Sequence, residues 1–311
     1  MIHDRIMPSF TIEPQGPFSL ERAADCIASF PPLRHQPGRG GDGVVRLSFL
    51  LDQDFVPVKV ALKELPGGSI HAEYTGTKND ERVRRQVARI FSLDHDGREY
   101  PLVGERDKRV GALMRRFEGL RPVCFTSPYE CAAWAVISQR ITTAQAARIY
   151  GSIVEDGAFP HPDRLLALKT LPGLAAVKLE RLHGIARAAL DGALDAGALR
   201  IMGDHEAPRF LAKLPGIGPF WSNGIYLRAC GIADVFPDEP IAMSALAALH
   251  GRPADAATVA RLAFPLRPFR MWVCFLLRVA FARGMIERRA KVVSRPSVLD
   301  RRSSASHRSP R

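Results

Sequence analysis

The sequence predicts an α+β protein in which a small antiparallel sheet near the N-terminus precedes an all-helical region. Two observations predict this class. Up to about residue 76, short runs alternate apolar and polar residues, as half-buried strands do. Beyond that point, apolar residues recur at helical spacing, and Pro or Gly separates the segments. A chain of 311 residues is long enough for two domains, so we place an N-terminal α+β domain at 1–78 and a helical region at 79–287.

The N-terminal part contains one predicted helix and four predicted strands. Ser19 precedes the helix, which runs to Ser29. The strands are predicted at 10–13, 44–51, 58–62 and 69–74, with glycine-containing turns at 38–43 and 66–68.

The helical region is divided by Pro and Gly into many segments. Helices are predicted at 80–91, 106–118, 127–138, 142–154, 162–170, 175–191, 206–213, 219–230, 240–249, 255–263 and 268–285. Two of the turns between them share a signal, Leu171-Pro-Gly-Leu174 and Leu214-Pro-Gly-Ile217. Such turns are common between helices, so the similarity is weak support for a decayed repeat.

Charge and apolar content limit the class of protein. The net charge is +12, and 288–311 contributes +7 of it through eight Lys/Arg and one Asp. We expect this segment to be a disordered basic tail, either a tether for polyanions or a solubilising end. No apolar stretch is long enough to span a bilayer and no signal-peptide core is present, so we expect a cytoplasmic, nucleoid-associated protein.

The five cysteines argue against cysteine-based structure or chemistry. They lie far apart without a C-x-x-C pair, at Cys26, Cys124, Cys131, Cys230 and Cys274. This spacing predicts reduced, buried thiols, and it disfavours a disulfide framework, a zinc site and an iron–sulfur cluster. The histidines show no ligand spacing either.

The most informative segment is Leu214-Pro-Gly-Ile-Gly-Pro-Phe-Trp221. A Leu-Pro-Gly-x-Gly turn between two helices directs backbone N–H groups outward at the start of the second helix. The helix dipole and the unpaired amides there favour an anion such as a DNA phosphate. The alternative is an ordinary turn whose glycines end one helix and open the next.

An acidic pair, Asp238-Glu239, follows twenty positions after Gly218. If Pro240 is the first helical residue, one of the two carboxylates caps that helix. A carboxylate held there could instead stabilise an oxocarbenium-like sugar during cleavage of a base–sugar bond. From the residues alone, cap and catalyst are equally supported.

A set of motifs, taken together, resembles the helix-hairpin-helix DNA glycosylases, and in particular the DNA-3-methyladenine glycosylase II group. Residues 127–142 are similar to that family's "PFE…ISQQIS" block. The other matching segments follow in the family's order at 89–96, 171–178, 214–218, 234–237 and 268–272. The match covers about 89–285, and the preceding α+β segment looks like the group's N-terminal domain.

The resemblance implies a DNA repair enzyme that flips an alkylated purine out of double-stranded DNA and hydrolyses its N-glycosidic bond. Gly216, Ile217 and Gly218 fall on the family's phosphate-binding turn. Phe220 stands where lyase-type members carry a nucleophilic lysine, which implies a monofunctional enzyme. The implied partner is duplex DNA with a damaged base, bound by a monomer without membrane contact.

The resemblance implies no cofactor beyond a structural Na or K ion at the hairpin. The backbone carbonyls of Ala212, Leu214 and Ile217 fall where family members hold that monovalent cation. Gln139 and Arg140 fall on the loop that plugs the gap left by a flipped base, although Arg140 is equally well explained as a solvated charge at a helix end.

The chain departs from the family at the catalytic acid. Members read Asp-x-x-Pro-x-x-Asp, whereas this chain has Pro240 in the last position. A shorter loop would place Glu239 there, and the spacing in other branches favours Asp238. We rank Asp238 slightly ahead because Pro237 restricts the shorter carboxylate. The departure keeps open a second class of protein, a DNA-binding module that recognises distorted duplex without cleavage.

Aromatic residues supply candidates for a base pocket. Trp221, Trp272 and Phe220 lie beside the motifs, whereas Trp134 and Tyr226 are expected in the core. An alkylated purine is cationic, and an aromatic face attracts a cation by roughly 0.5–2 kcal/mol. Oxidised or deaminated purines are alternative lesions, which the sequence does not rank.

Overall fold

A computed structural model describes residues 7–286, so the predicted basic tail at 288–311 lies outside the described residues. The predicted α+β class is confirmed. Five antiparallel strands form one sheet in the order β1-β5-β4-β3-β2. Their bounds are β1 Ser9–Ile12, β2 Gly38–Arg39, β3 Val45–Leu50, β4 Pro57–Glu64 and β5 Ile70–Thr75.

The rest of the described chain is mainly helical. The helices are α1 Leu20–Ser29, α2 Asp80–Ile90, α3 Tyr100–Arg106, α4 Lys108–Arg116, α5 Pro128–Ser138, α6 Thr143–Gly151, α7 Pro162–Leu166, α8 Ala176–Leu190, α9 Ala196–Leu211, α10 Pro219–Ala229, α11 Pro240–Leu249, α12 Ala256–Ala263 and α13 Arg270–Ala282. Short 3₁₀ turns lie at Pro31–Leu33 and Phe264–Leu266.

Local sequence explains where many helices begin. The side chains of Ser19, Asn79, Asp107, Ser127 and Thr142 each accept a hydrogen bond from a backbone amide in the first turn of the helix that follows. These caps satisfy amides that would otherwise lack a partner.

Several predicted elements differ from the structure. Strand β2 forms at Gly38–Arg39, inside the turn predicted at 38–43, and α7 ends at Leu166 instead of 170. The chain forms α3 over Tyr100–Arg106, where we predicted no helix. Helix α9 begins at Ala196 instead of 206 because Asp195 caps it, accepting from the amide of Ala198 at 2.7 Å. Gly203, with φ 80° and ψ 178°, kinks α9 and interrupts the apolar pattern that we used to place the helix.

The buried apolar residues form two clusters that do not follow chain order. The first joins the sheet and α1–α4 to α11–α13 at the other end of the described chain. The second contains most of the core of α5–α10. The chain therefore leaves the first cluster at α5 and returns to it at α11. The domain boundaries at 78 and 287 stay predictions.

Arg89 joins parts of both clusters through one buried guanidinium. It lies 2.8 Å from Asp52 in an ion pair, donates to the carbonyl of Thr126 at 2.8 Å, and donates to the carbonyl of Ala229 at the end of α10. Removing one partner of a buried ion pair is strongly destabilising, so the Arg89–Asp52 pair should contribute to the stability of the fold. Over residues 7–286, no helix is long and apolar enough to cross a membrane.

Candidate functional site

The turn between α9 and α10, which we call the hairpin (residues 212–218), has the conformation that its glycines permit. Gly216 adopts φ 78°, a left-handed value that favours glycine. The amide of Ile217 donates to the carbonyl of Leu214 at 3.0 Å, which closes the turn. A Cβ on Gly216 would lie 2.7 Å from Cδ of Arg181. The backbone angle therefore favours glycine at 216, and a larger residue would also force the Arg181 side chain to shift.

The start of α10 leaves several backbone amides without an acceptor. Gly218 is its N-cap residue, Pro219 occupies the first turn, and neither a capping side chain nor an acidic residue is present there. Among residues 7–286, no acceptor pairs with the amides of Gly218, Phe220 and Trp221. A Cβ on Gly218 would meet no atom of the protein within 4 Å. These unpaired amides, together with the helix dipole, favour a phosphate oxygen.

The carbonyls of Ala212, Leu214 and Ile217 belong to the same turn. Leu214 already accepts one hydrogen bond, and a carbonyl oxygen has a second lone pair for a ligand. Neutral oxygen donors suit a monovalent cation, so the residues present fit the Na or K ion that the resemblance implies. That site stays a prediction. Within 7–286, no cluster of His, Cys, Asp and Glu side chains could hold a metal ion.

The loop between α5 and α6 touches the hairpin. Gln139 donates from Nε2 to the carbonyl of Gly216 at 2.6 Å. Its neighbour Arg140 is exposed and adopts φ 55°, which is uncommon for a residue other than glycine. No described residue forms a hydrogen bond or ion pair with the Arg140 side chain. The structure therefore places Gln139 against the hairpin, with Arg140 next to it in the chain, and the role of both residues stays a prediction.

Glu239 is the cap residue of α11, and Pro240 is the first helical residue. Its Oε2 accepts from the amide of Ala242 at 2.7 Å. Its Oε1 lies 2.6 Å from Nη1 of Arg278 in an ion pair, and the side chain is only 12% exposed. Both oxygens are therefore in use, and Glu239 anchors α11 to α13.

Asp238 differs from Glu239 in exposure and in hydrogen bonding. Its side chain is exposed. Within the described part of the chain, it pairs with no donor. A carboxylate without a protein partner is available to a ligand.

Two arginines of α13 bind the first and last residues of the segment 234–239. Arg270 pairs with Asp234 at 2.8 Å and also donates to that residue's backbone carbonyl at 2.5 Å. Arg278, eight residues or about 12 Å further along the helix, pairs with Glu239. Cys274 lies between the two arginines, and its pKa is raised to about 12 by burial and secondarily by the charge of Glu239. The segment 234–239 is thus held against α13 at its first and last residues.

The aromatic candidates separate into a buried and an exposed group. Trp272 is 2% exposed and packs against Tyr100 and Phe269, with Cζ of Arg121 5.0 Å from its ring centroid. A ring buried this deeply cannot meet a base that enters from solvent, and we correct the expectation of a base contact at Trp272. The other two candidates, Phe220 and Trp221, are more exposed to solvent than Trp272.

Phe220 is 53% exposed in the first turn of α10. Its ring packs edge to face on the half-buried Trp221, with centroids 5.5 Å apart. Both rings therefore lie beside the unpaired amides of the hairpin helix.

The sequence reasoning missed the two supports on α13 and one on α8. Arg270 and Arg278 stand in an otherwise apolar helix, and that contrast was a signal that both need partners. Lys178 on α8 donates to the carbonyls of Ile137 and Gln139. No local pattern in the sequence marks that residue.

The sequence and the fold were compared with those of known proteins. No family model matches the chain. A protein named DNA-3-methyladenine glycosylase from Bacillus subtilis (strain 168) is 27% identical in an alignment 180 residues long, which covers 52% of this chain and 59% of that protein. The match thus spans less than two thirds of that relative.

Two solved structures are similar over most of their length. A 3-methyladenine DNA-glycosylase from Archaeoglobus fulgidus has a TM-score of 0.67 and 23% identity, covering 88% of this chain and 98% of that one. A Clostridium acetobutylicum 8-oxoguanine glycosylase/lyase in complex with dsDNA has a TM-score of 0.61 and 18% identity, covering 88% and 98%.

These likenesses establish that the chain has the fold of the DNA glycosylases. The predicted likeness to DNA glycosylases is therefore confirmed for the fold. The sequence relative and one of the two structures both carry 3-methyladenine glycosylase in their names.

Proposed function

We propose that this protein is a monofunctional DNA glycosylase. It flips an alkylated purine of the 3-methyladenine type out of double-stranded DNA and hydrolyses its N-glycosidic bond, leaving an abasic site. It acts as a monomer on nucleoid DNA in the cytoplasm. The observation that carries the proposal is the exposed, unpaired carboxylate of Asp238 on a segment that α13 holds at both ends.

The hairpin binds the DNA backbone in this proposal. Gly218 and the amides of Phe220 and Trp221 receive a phosphate oxygen, and Gly216 and Ile217 form the turn that presents them. Arg140 enters the gap that the flipped nucleotide leaves. Its positive charge and planar guanidinium suit both stacked bases and nearby phosphates.

Asp238 is the catalytic residue in this proposal, and Glu239 positions it. As the bond between the base nitrogen and C1′ breaks, the negative charge of Asp238 stabilises the developing sugar cation. Water then adds its oxygen to C1′ and releases a proton. Phe220 at the lyase position leaves no amine to attack the sugar, so the reaction stops at the abasic site.

Phe220 and Trp221 contact the flipped base. A cationic purine is attracted to an aromatic face by roughly 0.5–2 kcal/mol. Alkylation also makes the base a good leaving group, so one carboxylate suffices without a general acid.

The test is release of 3-methyladenine from methylated DNA, with an abasic-analogue duplex as a binding probe. We expect release by the wild type, loss of release in Asp238→Asn, and retained release in an Asp191→Asn control, which changes an exposed aspartate at the end of α8. We expect Glu239→Gln to lower stability and to reduce release only partly.

Binding of the abasic-analogue duplex without any release by the wild type would show a DNA-binding module instead. Full release by Asp238→Asn together with none by folded Glu239→Gln would assign catalysis to Glu239. Release of oxidised or deaminated purines alone would keep the reaction and change the lesion.

A further inference from the structure

The loop that carries Arg140, residues 139–142, which we call the wedge loop, is held at both ends. At its start, Lys178 of α8 donates from Nζ to the carbonyls of Ile137 and Gln139 at 2.9 and 2.5 Å. The last carbonyls of a helix have no partner within it, so this ammonium satisfies the end of α5. At its end, Thr142 and Gln145 form a reciprocal capping box that begins α6.

Between these fixed ends, Arg140 adopts a backbone conformation that costs free energy. A φ of 55° is sterically disfavoured for a residue with a Cβ. Such a conformation persists only when its surroundings enforce it. Lys178 supplies such a restraint on the residue before Arg140, because it donates to the carbonyls of Ile137 and Gln139.

The same face of α8 also contacts the hairpin. Arg181, one helical turn after Lys178, lies against Gly216, where a Cβ would be 2.7 Å from its Cδ. Gln139 in turn donates to the carbonyl of Gly216 at 2.6 Å. Desolvation and the neighbouring charge of Arg181 lower the pKa of Lys178, consistent with its close packing at this junction. The phosphate-binding turn and the wedge loop are therefore joined through α8.

We infer that Lys178 is a positioning residue that holds Arg140 in its left-handed conformation and so couples base flipping to backbone binding at the hairpin. This inference rests on the proposed function, since it assigns a step of that reaction. Without the ammonium, the carbonyls of Ile137 and Gln139 lose their donor and the strained backbone of Arg140 relaxes. Arg140 then no longer projects at the fixed distance from the hairpin that insertion requires.

The inference is tested with a duplex that carries a tetrahydrofuran abasic analogue beside 2-aminopurine, whose fluorescence changes when a side chain inserted at the abasic site alters its stacking. The variants are Lys178→Met, Lys178→Arg and a control, Lys169→Met, which removes one exposed positive charge shortly before α8. We expect Lys178→Met to reduce the fluorescence change about tenfold, the order expected for a lost charged hydrogen bond. Its affinity for undamaged duplex should match that of Lys169→Met.

Lys178→Arg should recover at least half of the signal, because a guanidinium also donates to two carbonyls. A fluorescence change in folded Lys178→Met equal to that of the wild type would overturn the inference. So would equal losses of signal in Lys178→Met and Lys169→Met, which would indicate a general charge effect. The assay needs no bond cleavage, so its result stands even if the wild type releases no base and the proposed function fails.

Discussion

Arg278 Nη1 lies 2.6 Å from Oε1 of Glu239, joining the interior of α13 to the residue that begins α11. The other oxygen of Glu239 caps the amide of Ala242. The preceding residue, Asp238, is exposed and pairs with no donor among residues 7–286. The two adjacent acids thus differ in role. Glu239 anchors α11 to α13, whereas Asp238 is free to contact a ligand.

The ion pair between Glu239 and Arg278 should contribute to the free energy of unfolding. Glu239→Gln and Arg278→Met should each lower the free energy of unfolding by about 1–3 kcal/mol, since each removes half of a partly buried ion pair and the first also weakens a cap. Urea unfolding of both single variants and the double variant gives the coupling energy. Arg148→Met, which changes an exposed arginine, is the control. Additive single losses would show that the ion pair contributes nothing.

The two hairpin glycines should respond differently to alanine. Gly216→Ala should destabilise the fold by about 1–2 kcal/mol because its φ is 78° and Arg181 fills the space. Gly218→Ala should fold normally, since its φ is −99° and the space is open. The added methyl of Gly218→Ala should still weaken DNA binding about tenfold by keeping the phosphate from the amides. Thermal melting and duplex titration measure the two effects, and equal affinity for Gly218→Ala and wild type would exclude the phosphate site.

Glu130 should make stability depend on pH. Burial raises its pKa to about 7, while hydrogen bonds from Tyr150 and Thr126 act in the opposite direction. The folded state therefore holds a proton that the unfolded state releases above its ordinary value of 4.5. Stability contributed by this group is full below pH 4.5 and falls as pH rises to about 7, by on the order of 2–3 kcal/mol.

Glu130→Gln keeps a neutral side chain of the same shape and removes that titration. Relative to wild type, the variant should therefore gain stability as pH rises from 4.5 to 7, measured by urea unfolding at several pH values. Burial lowers the pKa of His35 to about 4. Because His35 titrates in both proteins, its effect cancels when the stability of the wild type is subtracted from that of Glu130→Gln. A difference that does not change with pH would mean that Glu130 stays ionised in the fold.

DNA affinity should fall steeply with salt, because phosphate contacts release counterions. Lys213 is exposed in the hairpin. Lys213→Ala should reduce the slope of log affinity against log salt by about 1. Lys63→Ala, on strand β4 of the sheet, is the control and should leave the slope unchanged. Equal slopes for the two variants would place the DNA on another surface.

The parts of the fold predicted correctly are those that neighbouring residues specify. Strands β3 to β5 follow from alternation, and α2, α5 and α12 begin at side chains that cap their own first turns. Only the second half of α9 was predicted, because Gly203 breaks the helix periodicity at a kink. The hairpin was predictable because Pro and two glycines determine its backbone within five residues.

The sequence by itself determined the α+β class, the glycine turn between α9 and α10 and the position of the acidic pair, since each depends on local backbone preference and spacing. Only the tertiary structure decided that Trp272 is core, that Glu239 is an anchor and that Asp238 is free. The physical reason is distance along the chain. The partner of Glu239 lies on a helix 39 positions later, and Lys178 meets a carbonyl 39 positions earlier. Such pairs form only when packing brings the helices together, and no local pattern encodes them.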